Sequence, residues 1–275
     1  MLKLHVVSEP ENVSMETKQR RGIQSIELGS KLLEALARHV TPLALGDVAK
    51  AAGMTAGKAH PYMVSFANVG FVTQEAGSGK YELGPLALQL GLAKLRQLNP
   101  VREATESIAE LSTATGQSVA IAVWGNMGPT VVQMAEPVQS LHVNVRAGTV
   151  MSLTETATGR LFAAYLLPKV VDTLVKNLPA GIQGSNKQFS RKEFETQLAE
   201  IREHGMARAI GKPNPGILAF SAPVFDSTGQ IVLAITLMGA IGSMDDSWDG
   251  GAASELRNCA AKISKKLGFN GDVTN

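Results

Sequence analysis

One stretch constrains the fold of this chain more than any other: Leu45 to Val72, LGDVAKAAGMTAGKAHPYMVSFANVGFV. Leu45, Val48, Ala49 and Ala52 form the inward face of a short helix that Gly53 ends. A second helix begins near Thr55 and turns Ala59, Met63 and Phe66 inward at spacings of four and three. For two helices to meet this closely, the first needs a small side chain at the contact. Four residues later the turn needs a backbone geometry that glycine tolerates best. Ala49 and Gly53 have that spacing. Gly70-Phe71-Val72-Thr73 and Lys80-Tyr81-Glu82-Leu83 then read as two extended pieces around the turn Gly77-Ser78-Gly79, a β-hairpin. Upstream, Ile26, Leu28, Leu32, Leu33 and Leu36 make one face of another amphipathic helix, which Ser25 is placed to cap and Thr41-Pro42 to break. The whole order predicts a winged helix-turn-helix over residues 23–84. Three ordinary amphipathic helices would share the periodicity but not the hairpin.

Residues 1–22 are polar and end in Lys18, Arg20 and Arg21. They are expected to form a flexible arm, either a solvated tail or a contact to nucleic acid. Leu86 to Leu98 (LALQLGLAKLRQL) is helical by pattern, and Asn99-Pro100 stops it and starts another helix with Asn as N-cap and Pro at N1. This predicts a linker helix over 85–98 and a second domain over 99–275. That domain has strand-like runs at Ser118–Trp124, Thr130–Ala135, Leu141–Val145, Ile217–Val224 and Ile231–Met238, the last two flanking the turn Asp226-Ser227-Thr228-Gly229. Its helical runs are Thr156–Leu167, Ser190–His204 and Ala252–Leu267. Ser190-Arg191-Lys192-Glu193 is a capping box, and Gly205 stands at C′. Hairpin-length turns between strands predict an antiparallel sheet with helices packed on it, an α+β domain rather than a doubly wound one.

Several function classes are hard to sustain. The 26 Lys+Arg against 24 Asp+Glu are too balanced to identify a nucleic-acid binder from bulk charge. Up to Arg96 the count is 11 basic to 8 acidic, so the small positive excess sits in the N-terminal third. The single Cys259 excludes an internal disulfide and a multi-Cys zinc site, fits a reducing cytoplasm, and reads as an inert core residue of the last helix. The five histidines are scattered without metal-ligand spacing, and no nucleophile elbow or phosphate-cradling glycine loop is present. The longest apolar run, Ile231 to Met238, is far short of the ~20 residues that span a bilayer. A cytoplasmic protein with no catalytic residues, no metal and no cofactor is expected.

Further motifs give the chain a family likeness. Gly70-Phe71-Val72 with Tyr81-Glu82-Leu83-Gly84, the helix Ala157-Thr158-Gly159-Arg160-Leu161-Phe162-Ala163-Ala164, and the hairpin Ala222-Pro223-Val224-Phe225-Asp226 with Gly229 occur in order. Together they resemble the IclR family of bacterial transcriptional regulators over most of the chain. The resemblance implies a winged helix-turn-helix, a linker helix and a C-terminal GAF-like domain that binds a small metabolite. It also implies dimers or tetramers on palindromic operators, acting as repressor or activator of catabolic genes.

In such a protein the second helix enters a major groove. Thr55, Ala56, Lys58, His60, Pro61 and Ser65 face away from the Ala59/Met63/Phe66 stripe. Lys58 suits a phosphate or a guanine edge, and His60 and Thr55 suit phosphates. Lys80 in the wing and Arg20 and Arg21 in the arm suit the backbone. Pro61 stands where relatives usually carry arginine. Either Thr55 caps the helix and Pro61 removes the bond to the Gly57 carbonyl, at roughly 3 kcal/mol, or the helix starts near Ala59 and Pro61 falls in its first turn. The resemblance places the metabolite between the sheet and the N-terminus of the Ala157 helix, where free amides suit a carboxylate. The matching positions are Thr156, Ala157, Thr158, Ala209, Ile217, Ala219, Thr236 and Met238. Arg208-Ala209-Ile210-Gly211-Lys212 replaces the acidic run of many relatives, pointing to an aromatic or larger organic acid. The competing account of these small residues is that they simply pack helix against sheet. The competing function is a small-molecule binder whose DNA binding Pro61 has weakened or removed.

Overall fold

The structure, a computed structural model, describes residues 22–137, 145–177 and 190–271. The chain divides between Gln97 and Leu98 into two units. Arg20, Arg21 and nearly all of the expected strand Leu141–Val145 lie outside the described residues.

The first unit contains α1 (Gln24–Ala37), α2 (Leu45–Ala51), α3 (Ala56–Val69), β1 (Val72–Gln74), β2 (Tyr81–Leu83) and α4 (Pro85–Gln97). Leu32, Leu36, Val48, Ala49, Ala59, Met63, Val72 and Tyr81 are buried together in its core. Between α2 and α3, Gly53 has φ +70°, and the Met54 amide donates to the Ala49 carbonyl at 2.9 Å. This is the left-handed turn that glycine permits without a Cβ penalty. Strands β1 and β2 pair antiparallel, and Leu43 exchanges two backbone hydrogen bonds with Tyr81, of 2.9 and 2.8 Å. The wing is thereby tied to the segment entering α2.

Two expectations for α1 fail. Its N-cap is Ile23, which offers no side-chain hydrogen bond, and Ser25 lies inside the helix. Ile26, expected inward, is 69% exposed. At 3.6 residues per turn it points away from the centre of the buried face that Gly29, Leu32, Ala35 and Leu36 form.

The second unit contains α5 (Pro100–Thr115), β3 (Ser118–Gly125), β4 (Gly128–Ala135), α6 (Ala157–Tyr165), α7 (Pro168–Asn177), α8 (Arg191–His204), β5 (Ala207–Ile210), β6 (Ile217–Phe225), β7 (Ile231–Ala240) and α9 (Gly251–Lys266). The strands form one antiparallel sheet in the order β4-β3-β7-β6-β5. Residue alternation sorts its two faces. Val119, Ile121, Phe220, Leu233, Ile235 and Leu237 pack with Ile108 and Leu111 of α5 and Leu256 and Ile263 of α9. Ala120, Ala122, Ala209, Ala234 and Met238 pack with Leu161 and Phe162 of α6 and Phe194 and Leu198 of α8. The second face is built largely of alanine, so α6 lies close to the strands.

Local signals explain the helix ends. Asn99 Oδ1 accepts from the Arg102 amide at 3.1 Å, Pro100 occupies the first turn, and Gly116 closes α5 at φ +64°. Ser190 Oγ accepts from the Glu193 amide at 3.3 Å, and Gly205 closes α8 at φ +65°. Helix α6 stops at Tyr165 rather than Leu167, because Leu166 is extended and Pro168 follows, and Pro168 begins α7.

Candidate functional site

Two places in the molecule assemble the residues singled out from sequence. The first is the outer face of α3. Thr55 caps it, and the Lys58 amide donates to Thr55 Oγ1 at 3.4 Å. Thr55, Ala56, Lys58, His60, Pro61 and Ser65 are all exposed, while Ala59 and Met63 are buried and Phe66 half-buried. Pro61 therefore stands inside the helix, and the late start near Ala59 is ruled out. Its missing N–H leaves the Gly57 carbonyl without its helical donor. Ser65 Oγ donates back to the Pro61 carbonyl at 2.9 Å, which spends that hydroxyl locally. Lys80 is exposed at the wing turn, where the Glu75 amide donates to the Lys80 carbonyl at 2.8 Å. The face offers a helix 14 residues long with the Lys58 cation and the capping Thr55 hydroxyl at its N-terminal end. A major groove admits that shape.

The second place is a cavity at the N-terminus of α6, holding about 30 Å³. Thr156, Ala157, Thr158, Ala209, Ile217, Ala219, Thr236 and Met238 all line it. Alternation puts Ala209, Ile217, Ala219, Thr236 and Met238 on the sheet face that α6 covers. Thr156 is the helix N-cap: its Oγ1 accepts from the Gly159 amide at 2.9 Å and donates to the Ser152 carbonyl at 2.7 Å. Its hydroxyl is thus spent on the backbone. Thr158, Thr236 and Ser221 form a buried hydroxyl chain, with Thr158 Oγ1 2.8 Å and Ser221 Oγ 2.9 Å from Thr236 Oγ1.

Behind the cavity, Arg160 of α6 is largely buried. Its guanidinium donates to Gln197 Oε1 at 3.0 Å and to the Arg208 carbonyl at 2.7 Å, tying α6 to α8 and to edge strand β5. Burial lowers its pKa, and Glu200 opposes that shift. Its Nε, like Glu155 Oε2, is buried without a partner among the described residues. The Arg208 guanidinium lies 4.4 Å from the Trp248 ring centroid, and His204 stacks on that ring at 4.3 Å.

Sequence reasoning missed Val145, Met151, Lys212, Pro213 and Asn214, which also line the cavity. The last three lie in the β5–β6 connection, which the sheet register carries to the rim. The run Arg208 to Lys212 stands out in the sequence for its charge, but no periodic signal aims Lys212 at the cavity. Cys259 is half-buried on α9, and burial pushes its thiol up to about 11. Thiolate chemistry is suppressed there at neutral pH. No cluster of metal-binding side chains occurs among the described residues, and no helix among them is long and apolar enough to cross a membrane.

Both units match known protein families. Residues 25–76 match the IclR helix-turn-helix domain, and residues 92–265 match the C-terminal domain of bacterial transcriptional regulators of the IclR type. This chain belongs to the IclR family. The glycerol operon regulatory protein of Streptomyces griseus is 30% identical over 253 residues, which cover 90% of this chain and 98% of that one. The crystal structure of Pseudomonas aeruginosa HmgR is similar at a TM-score of 0.82 and 32% identity, covering 91% of this chain and all of that one. The Agobacterium tumefaciens repressor BlcR shares the fold at a TM-score of 0.75 and 20% identity, covering 90% and 99%. As an IclR family regulator the chain pairs a DNA-binding helix-turn-helix with a C-terminal effector domain, and it is not an enzyme.

Proposed function

We propose that this cytoplasmic regulator binds a palindromic operator as a homo-dimer or tetramer and changes its hold on DNA when a small organic acid enters the α6 cavity. Lys58, His60 and Thr55 contact the groove and its phosphates, and Lys80 and the Arg20/Arg21 arm contact the backbone. The relatives named for a glycerol operon support a catabolic target. The observation that carries the effector reading is the cavity itself, where first-turn amides of α6 meet an apolar, alanine-lined sheet face. Helix N-termini favour anions, and the apolar lining suits a hydrocarbon or aromatic body. At about 30 Å³ the cavity is small, and an organic acid is expected to widen it on binding.

A bound acid is expected to raise thermal stability by mass action, by about 2.7 kcal/mol at 100 times its dissociation constant. Ala157→Leu should abolish that shift while the domain stays folded by circular dichroism. Normal binding by Ala157→Leu would place the effector elsewhere.

Assembly is expected to run through the first unit. Leu88, Leu90, Leu92 and Leu95 of α4 are 65, 51, 48 and 52% exposed, and no residue of α4 is buried. A soluble helix with this much apolar surface needs a partner, and two-fold pairing is the commonest solution. Light scattering at micromolar concentration should give at least twice the 29.0 kDa chain mass. A monomer would sink the dimer. The second reading, a binder with weakened DNA affinity, is favoured by Pro61 inside α3.

A further inference from the structure

We propose that Lys212 selects the effector and that the effector is a dicarboxylate, one carboxylate at the start of α6 and the other at the Lys212 ammonium. This rests on the effector reading of the cavity. Among the described residues that line the cavity, Lys212 is the only one with an ionisable side chain. It is exposed and forms no ion pair among the described residues. Its loop is fixed at both ends. The Gly211 amide donates to the Ile217 carbonyl at 2.8 Å, and the Ile241 amide donates to the Gly216 carbonyl at 2.8 Å. Gly211 and Gly216 have φ +64° and +83°, which sets the turn into and out of the loop. The backbone that carries Lys212 is therefore held at the rim while its charge is unspent.

The floor has a definite polarity. Thr158, Thr236 and Ser221 bring three hydroxyl hydrogens to a chain with two internal hydrogen bonds. One hydrogen is left over. No acceptor outside the chain meets Ser221 or Thr158 among the described residues, and Ser221 is fully buried away from the cavity. A spare hydrogen at Ser221 would be a stranded buried donor, which is costly. Running the chain from Ser221 through Thr236 to Thr158 delivers it into the cavity instead. Ala157 and Thr158 line the same cavity, and Thr156 caps only Gly159, so their first-turn amides have no helical partner. One end of the cavity thus offers donors, the rim offers an ammonium, and Val145, Met151, Ala209, Ile217, Ala219 and Met238 line the space between. An oxygen anion at each end of a hydrocarbon body satisfies both. A monocarboxylate leaves one end unmatched.

The test titrates the full chain calorimetrically with two matched pairs, butyrate against succinate and benzoate against terephthalate. At least one dicarboxylate should bind tenfold or more tightly than its monocarboxylate partner. Lys212→Met keeps roughly the length of the side chain and removes its charge; it should bring that ratio within threefold. Lys212→Glu should weaken the dicarboxylate further. A preference that survives Lys212→Met, equal binding within both pairs, or no binding of either dicarboxylate would overturn the assignment of Lys212 alone. Binding that also survives Ala157→Leu would overturn the effector reading beneath it.

Discussion

Gly159→Ala should cost the second unit about 3 kcal/mol or more, the upper end of what overpacking does. The reason is backbone against backbone. A Cβ at Gly159 would overlap the Ser152 carbonyl oxygen and come within 2.7 Å of Leu153 Cα. That carbonyl already accepts from Thr156 Oγ1 at 2.7 Å, and Ser152 Oγ accepts from the Glu155 amide at 3.3 Å, so the turn cannot retreat without breaking the α6 cap. Flexible side chains could give way; two peptide planes cannot. Both tryptophans, Trp124 and Trp248, lie in the second unit, so tryptophan fluorescence during urea unfolding reads its stability directly. An unfolding free energy changed by less than about 0.5 kcal/mol, as for an ordinary surface substitution, would mean that the close approach before α6 is not built as described.

The second large effect lies in α3. Because Thr55 caps the helix and Pro61 is its sixth residue, Pro61→Ala should restore the bond to the Gly57 carbonyl and recover up to about 3 kcal/mol in the first unit. Pro61→Arg should recover the same and add a guanidinium on the groove face. If the arginine meets a phosphate, the slope of log K against log salt should steepen by about 0.9. If it meets a guanine edge, preference at one base pair should change by ~1–3 kcal/mol. Anisotropy titrations of wild type, Pro61→Ala and Pro61→Arg at several salt concentrations separate the helix effect from the charge effect. Should Pro61→Arg bind the natural operator more weakly, proline is part of this protein's own DNA readout, and its description as a lost contact fails.

What could be read from sequence follows the range of the interactions involved. The order of α2, α3 and the wing was legible because the Ala49–Gly53 spacing, the stripe of α3 and the hairpin turn are local. The starts of α5 and α8 were legible for the same reason, since Asn99 and Ser190 cap the amides three residues on. The start of α1 was not, because its N-cap is an isoleucine with no side-chain acceptor. Ile26 was misplaced because it lies off the angular centre of the buried face set by Gly29, Leu32, Ala35 and Leu36. Edge strand β5 is only 4 residues long, too short for alternation to stand out. Lys212 depends on register: it reaches the cavity rim only once β5 and β6 have paired, Ile210 opposite Leu218.

The central claim is that this chain reads one DNA sequence through α3. Fluorescence anisotropy of the full chain tests it most directly, using a duplex from the region upstream of its own gene against an unrelated duplex of equal length. Specific binding should be at least about a thousandfold tighter than non-specific binding, and should weaken steeply as salt rises. Lys58→Ala should lower that affinity and flatten the salt slope by about 0.9 if Lys58 holds a phosphate. Equal, weak affinity for both duplexes at every salt concentration, unchanged by Lys58→Ala, would contradict the account.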